Sequence, residues 1–206
     1  MDRGKKITDA RSRIDKSTLY SLEEAVGKIK ELKFAKFDET VEASMKLVHK
    51  SYQNVRGSVT LPGGTGKQIK VLVICKGDKQ KEAREAGADY VGAEDLIEKI
   101  KEGWIDFQAV VATPDMMKEV GKLGPVLGKK GLMPKPKAGT VTEDVKGIIK
   151  ELKGGRVEYK ADKTGVVNLG VGKISFETAT LVDNIKAFYN QIVKDKPSDA
   201  KGNYIR

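Results

Sequence analysis

The run from Leu123 to Thr142 limits the fold more than any other part of the chain. It contains four glycines, three prolines and four lysines. Glycine loses much backbone entropy on ordering and proline lacks an N–H donor, so neither a long helix nor a strand is favoured there. Long irregular segments in compact domains are usually functional or disordered, and the Leu, Val and Met residues argue against disorder. We therefore predict an ordered basic loop that approaches a negatively charged partner.

The composition narrows the class of protein. The 206 residues suffice for one large or two small domains, and 39% hydrophobic with 33% charged residues is typical of a globular protein. Lys and Arg number 39 against 29 acids, and the formal net charge of +10 favours a polyanionic partner. We expect no secretory signal, no transmembrane helix and no membrane partner. The single cysteine, Cys75, suits a reducing cytoplasm.

The middle of the chain differs in pattern from its two ends. Two mostly apolar stretches, 69–75 with Lys70 as its exception and 107–112, alternate with helical patterns, which predicts a parallel sheet covered on both faces. We predict an α/β fold of two domains. A Rossmann-like three-layer domain spans 68–156 and is inserted into a split domain made of 1–67 plus 157–206. The flanks carry most of the positive charge, so the split domain is the better candidate for binding a polyanion.

Local signals define the elements of the split domain. Ser21 and Glu24 fit a capping box, so we predict that the first helix begins there. Residues 156–161 and 166–171 have strand-like patterns and are separated by a turn that contains Gly165, a spacing that predicts a β-hairpin.

Basic residues interleaved with aromatic residues suggest a binding surface. Residues 41–47 alternate between apolar and polar, which predicts a half-buried strand with Glu42 and Lys46 on its polar face. Phe34 and Phe37 precede this strand among lysines, an arrangement suited to phosphate contacts and stacking on RNA. A core role for both phenylalanines, with lysines that only solubilise, has about equal weight. The predicted hairpin adds Arg156, Lys160, Lys163 and Lys173.

Other chemistries have weak support. The segment 63–67 resembles a phosphate-binding loop, but Gln68 replaces the required Ser or Thr and a strand, not a helix, should follow. No Gly-x-Gly-x-x-Gly motif follows the first buried strand, so no nucleotide cofactor is expected. His49 is the only histidine, which excludes a His-based acid–base pair, and Cys75 is predicted to be an inert core thiol. A nucleotide-binding α/β enzyme and a nonspecific basic binder of DNA or anionic membranes remain as alternatives.

Several separated motifs together resemble a known family. Leu123-Gly-Pro-Val-Leu-Gly-x-x-Gly-Leu-Met-Pro134, followed by Gly139-Thr-Val-Thr142, is similar to the signature of the bacterial ribosomal protein L1 family, the large-subunit stalk protein. The rest of the resemblance lies, in order along nearly the whole chain, in segments 37–42, 53–57, 156–159, 162–165 and 172–176.

The resemblance implies a two-domain, non-enzymatic ribosomal protein without a cofactor. It implies binding to a folded stalk of large-subunit rRNA, assistance in releasing deacylated tRNA from the exit site, and repression of its own operon through the mRNA. It also implies a cytoplasmic location on the ribosome and a monomer when free of it.

The resemblance also implies the residues that touch RNA. The implied principal surface comprises Lys36, Phe37, Thr40, Glu42, Lys46, Arg156, Lys160, Lys163, Thr164 and Gly165. The implied secondary contacts are the loop lysines Lys129, Lys130, Lys135 and Lys137.

The chain departs from the family pattern at two places. Lys135 stands where the family usually has Asn, which adds charge to the loop. The family pattern continues beyond the position of Arg206 into a last strand with a Thr-Met-Gly segment at the RNA face, a strand that we expect this chain to lack.

Overall fold

A computed structural model describes residues 4–15, 17–48, 55–197, 200, 202 and 204–205. His49 and the first two residues of the motif 53–57 lie outside this range. The helices are α1 (Lys5–Ser12), α2 (Leu22–Glu31), α3 (Lys79–Glu85), α4 (Glu94–Lys101), α5 (Met117–Val120), α6 (Gly124–Leu127), α7 (Val145–Lys153) and α8 (Thr178–Lys194). The strands are β1 (Thr40–Lys46), β2 (Arg56–Thr60), β3 (Val71–Ile74), β4 (Tyr90–Gly92), β5 (Ala109–Ala112), β6 (Arg156–Lys160) and β7 (Val166–Lys173). This mixture confirms the α/β class.

The middle of the chain forms a parallel sheet in the order β4-β3-β5. All four residues of β3 are fully buried, because successive side chains point to opposite faces and helices cover both. Leu72 and Ile74 belong to one core cluster, whereas Val71 and Val73 belong to another. This arrangement is the predicted three-layer architecture. The domain boundaries at 67/68 and 156/157 stay a prediction.

The two ends of the chain share a third core cluster. Two antiparallel pairs, β1–β7 and β2–β6, pack with α2 and α8 around Leu61, Val167 and Phe188. The predicted hairpin is only partly formed: the turn is present, with a hydrogen bond from the Asp162 N–H to the Val166 carbonyl and a bridge between Ala161 and Val167, but β6 and β7 share no longer ladder. Strand β6 forms its ladder of hydrogen bonds with β2, and β7 forms its ladder with β1. Both partners come from the other end of the chain, so local spacing cannot predict these pairings.

The start of the split core follows the sequence signals only in part. The capping box is confirmed, since the Ser21 side chain accepts from the Glu24 N–H and the Glu24 carboxylate accepts from the Ser21 N–H. Helix α1 precedes it and was not predicted. None of its residues is buried, so it lacks the apolar stripe that marks a helix in sequence. No helix within the described ranges is long and apolar enough to cross a membrane.

The glycine- and proline-rich run is ordered as predicted, but it is not devoid of regular structure. Helix α6 and a 3₁₀ turn at Pro136–Ala138 interrupt it, with Pro125 and Pro136 in first-turn positions where a missing N–H costs nothing. Leu123 and Leu127 are fully buried and anchor the run to the core of the parallel sheet.

Candidate nucleic-acid interface

One face of β1 is exposed and polar along its whole length. Val41 and Met45 point into the core, while Thr40, Glu42, Ser44 and Lys46 alternate with the inward positions and are exposed to solvent. The three predicted residues of this strand therefore share one surface. Ser44 belongs to the same row, as the alternation predicted, but it was not predicted to contact RNA because its residue type carries neither charge nor an aromatic ring.

Strand β7 extends this surface. In the β1–β7 register Glu42 faces Gly170, Ser44 faces Asn168 and Lys46 faces Val166. The Ser44 hydroxyl donates to Asn168 Oδ1 at 2.6 Å across the two strands. We call the exposed residues Thr40, Glu42, Ser44, Lys46 and Asn168, together with the half-buried Gly170, the strand face.

The loop before β1 presents an aromatic ring to solvent. Phe37 is 71% exposed and Phe34 is 45% exposed, so the core role that the sequence left open is wrong for both. Nonetheless the loop is held in place. The Asp38 carboxylate accepts from the Ser175 N–H at 3.2 Å and from the Ser175 hydroxyl at 2.7 Å. These bonds tie the end of the loop that carries Phe37 to the turn after β7.

Lys173 links this loop to the first residue of the strand face by hydrogen bonds. Its ammonium donates to the Asp38 carbonyl at 3.3 Å and to Thr40 Oγ1 at 3.0 Å. On the other side, Lys36 is exposed and makes no ion pair among the residues that the structure describes. The exposed ring of Phe37 thus follows directly after a lysine that is open to an incoming phosphate, on a loop whose end is hydrogen-bonded to the turn after β7.

The turn at 162–165 joins the opposite end of the strand face. The Asp162 carboxylate accepts from the Thr164 N–H and hydroxyl, both at 2.7 Å, and from the Val166 N–H at 2.9 Å. The bond from the Val166 N–H is the largest of the influences that hold the pKa of Asp162 below its usual value. Gly165 has a φ of +82°, and its carbonyl accepts from the Leu47 N–H at 2.7 Å. The turn is thereby attached next to Lys46.

The two predicted basic residues of β6, Arg156 and Lys160, lie in different surroundings. Lys160 is exposed at the end of the strand that leads into the 162–165 turn. Arg156 instead points towards the glycine- and proline-rich run: its guanidinium donates to the Ala138 carbonyl at 2.9 Å and to Ser58 Oγ at 3.0 Å, and it also contacts Glu151. The structure therefore does not bring Arg156 to the strand face.

The lysines of the glycine- and proline-rich run also differ from one another. Lys129 and Lys130 are exposed just before Gly131. The Lys135 ammonium lies 2.9 Å from Glu158 Oε2 on β6, and the side chain of Lys137 is outside the described set. We call the contacts of Lys135 with Glu158 and of Arg156 with Ala138 the loop contact. A cavity of about 340 Å³ lies beside it, with Lys67, Met133 and Val157 in its wall.

The structure gives little support to a phosphate-binding loop, a reactive cysteine or a metal site. The Gly63–Gly64 turn is fixed by Asn184, whose Oδ1 accepts from the Gly63 N–H at 2.8 Å and whose Nδ2 donates to the Gly64 carbonyl at 3.0 Å. It is a structural turn and β3 follows it, as the sequence predicted. Cys75 is buried, and burial raises the pKa of its thiol, which agrees with an unreactive core residue. Within the described residues, no group of three or more His, Cys, Asp or Glu side chains could hold a metal ion.

The fold and the exposed residues define a class: a basic α/β protein whose two ends build one polar, partly cationic strand surface. Residues 29–206 match the model of the ribosomal protein L1p/L10e family, and the chain belongs to that family. It is 64% identical over 206 residues to the large ribosomal subunit protein uL1 of Leptospira biflexa, with 100% of this chain and 90% of the relative covered. It is 55% identical over 205 residues to the uL1 protein of Protochlamydia amoebophila, with 98% and 87% covered.

These comparisons confirm the family resemblance drawn from the motifs. They also agree with the predicted non-enzymatic class, since the relatives carry the name of a ribosomal protein.

Proposed function

We propose that this protein is a constituent of the large ribosomal subunit in the cytoplasm and binds a folded stalk of large-subunit rRNA. The family and the names of the relatives support the first part. The single observation that carries the second part is the strand face, flanked at one end by exposed Phe37 and at the other by the 162–165 turn.

The mechanism follows from the chemistry of this surface. Lys36, Lys46 and Lys160 contact phosphates and release condensed counterions, which supplies affinity without sequence readout. Phe37 stacks on an unpaired base, and the fixed 162–165 turn fits the shape of the folded RNA. Glu42 is exposed on the same strand as Lys46 and disfavours a phosphate at its own position, so it helps to set the register of the RNA on the face.

The lysines of the glycine- and proline-rich run make the secondary RNA contacts in this proposal. Lys129 and Lys130 are exposed and can reach a phosphate directly. Arg156 and Ala138 both belong to the 68–156 domain, so Arg156 reaches RNA only by giving up that contact. Lys135 is paired with Glu158 of the split domain, and a swing of the 68–156 domain about the two chain crossings near 67 and 156 separates this pair. The same movement accompanies the stalk when it assists deacylated tRNA in leaving the exit site. Repression of the protein's own operon uses the strand face on a similar fold in the mRNA.

A titration tests the central claim. The 206-residue chain is mixed with labelled stalk RNA at several salt concentrations, with excess duplex DNA as competitor. Binding that survives the DNA and persists at moderate salt supports the proposal, because nonspecific phosphate binding falls steeply with salt. Equal competition by DNA and RNA would support the nonspecific basic binder instead.

Two further measurements address the finer parts of the proposal. Binding of the protein-loaded subunit to deacylated tRNA, compared with the subunit that lacks the protein, tests the exit-site role. A translation assay on the protein's own operon mRNA, with and without added protein, tests repression.

The alternative of a nucleotide-binding enzyme is tested by thermal unfolding. A melting temperature raised by millimolar ATP or NAD would favour that alternative.

A further inference from the structure

An uncharged pair stands in the middle of the strand face, and neither the motifs nor the family resemblance pointed to it. Ser44 and Asn168 are both exposed and lie directly opposite each other on β1 and β7. The Ser44 hydroxyl donates its only hydrogen to Asn168 Oδ1 at 2.6 Å. This bond brings the two polar side chains together at one point of the strand face.

The bond leaves a defined set of donors and acceptors open. A serine oxygen keeps its lone pairs after donating, and an asparagine amide keeps two N–H donors after its oxygen accepts. Among the residues that the structure describes, neither Ser44 Oγ nor Asn168 Nδ2 has another hydrogen-bond partner. The pair therefore presents an acceptor on one strand and donors on the next.

A purely structural role accounts poorly for this pair. An exposed hydrogen bond replaces bonds to water and adds little net stability. The β1–β7 ladder already joins the two strands along seven residue pairs from Thr40 to Lys46. The next position of β7 on the same face is the half-buried Gly170, which has no side chain of its own to cover the backbone beside the pair.

We infer that Ser44 and Asn168 together recognise a ribose 2′-hydroxyl group. A 2′-hydroxyl is both a donor and an acceptor, so it can donate to Ser44 Oγ and accept from Asn168 Nδ2 at once. A phosphate oxygen only accepts, and a deoxyribose has no group at this position. The inference rests on the proposed function, because the strand face must meet RNA. It makes the pair a determinant of the preference for RNA over DNA.

The experiment is an interference map with stalk RNA that carries single 2′-deoxy substitutions at random positions. Positions where the substitution weakens binding are compared for the wild-type chain, Ser44→Ala and Asn168→Ala. Asn190→Ala is the matched control, since it removes an exposed amide from α8. We expect each strand-face variant to weaken binding by roughly three- to tenfold, the effect of one neutral hydrogen bond.

The decisive result is the pattern. Both strand-face variants should lose the interference at one and the same nucleotide and keep it at all others, while Asn190→Ala keeps the full wild-type pattern. The slope of log affinity against log salt should stay unchanged, because no charge is removed. A wild-type pattern in both variants, or a salt slope altered by about one unit, overturns the inference alone. A wild-type chain that fails to bind the stalk RNA overturns the proposed function and the inference with it.

Discussion

The strand face and the loop contact carry basic residues of the same kind in opposite situations. On and beside the strand face, Lys36 and Lys46 form no ion pair with any described residue. At the loop contact, Lys135 is paired with Glu158 and Arg156 donates to the Ala138 carbonyl. The sequence gives no sign of this difference, since all four residues were predicted to touch RNA. A cation that is open to solvent can meet a phosphate directly, whereas a paired cation must first give up its partner.

This difference ranks the two surfaces for RNA binding. Neutralising a phosphate releases counterions only to the extent that the protein charge is not already neutralised. Lys36 and Lys46 bring their full charge to the RNA. Lys135 shares its charge with a carboxylate while the loop contact is closed. The following variants test this ranking from the largest expected effect to the smallest.

Phe37→Ala should have the largest effect on RNA affinity. The ring is 71% exposed, so we expect loss of base stacking to weaken binding by roughly 5- to 100-fold, while the free energy of unfolding changes by less than about 0.5 kcal/mol. RNA titration and thermal unfolding on the same preparation measure both. Phe34→Ala is the matched control, and equal RNA binding by folded Phe37→Ala would exclude the stacking role.

Asp162→Ala should weaken RNA binding by several-fold, because it removes the acceptor that shapes the 162–165 turn. Each lost hydrogen bond is worth about 1 kcal/mol at most sites. Asp162→Asn keeps one acceptor oxygen and should retain most of the affinity, which separates turn shape from charge. Asp183→Ala, an exposed acid on α8, is the control and should leave the titration unchanged. A loss of affinity by Asp162→Asn as large as that of Asp162→Ala would show that the charge, not the turn, matters.

Lys46→Gln should lower the slope of log affinity against log salt by about one unit, as should Lys36→Gln. Lys135→Gln should lower it by clearly less, because that lysine is paired with Glu158. Titrations at four salt concentrations give the three slopes. Equal slopes for all three variants would remove the distinction between the strand face and the loop contact.

The coupling between Lys135 and Glu158 should be the smallest effect. Their side chains are 46% and 42% exposed, and a solvent-exposed ion pair typically contributes about 0.2–1 kcal/mol. A double-mutant cycle of Lys135→Gln and Glu158→Gln, followed by chemical denaturation, measures the coupling. It should shrink at high salt, because screening weakens exposed pairs. A coupling free energy that stayed constant between low and high salt would contradict an electrostatic origin.

Much of the fold was predictable because its signals are local. The capping box at Ser21, the alternation along β1 and the buried apolar strand at Val71–Ile74 each depend on neighbours in sequence. The hairpin prediction was right only at its turn, for the complementary reason. The spacing of β6 and β7 allows a hairpin, but partners from the other end of the chain satisfy their hydrogen bonds instead. Helix α1 was missed because it buries nothing and so leaves no apolar pattern.

The residues of the candidate site also fall into those that the sequence could predict and those that it could not. Residues with charge, aromaticity or a recognisable motif, such as Phe37, Lys46 and Thr164, could be named from the sequence. Ser44 and Asn168 could not, because their significance lies in facing each other across 124 residues of chain.

The sequence by itself determined the α/β class, the family and the identity of the cations, because periodicity, motifs and residue types can be read from neighbouring positions of the chain. Only the tertiary structure decided which cations are free and which are paired, and which polar side chains share a face. Those properties depend on strand register and on contacts between distant segments, and no local pattern encodes the distance between two parts of a folded chain.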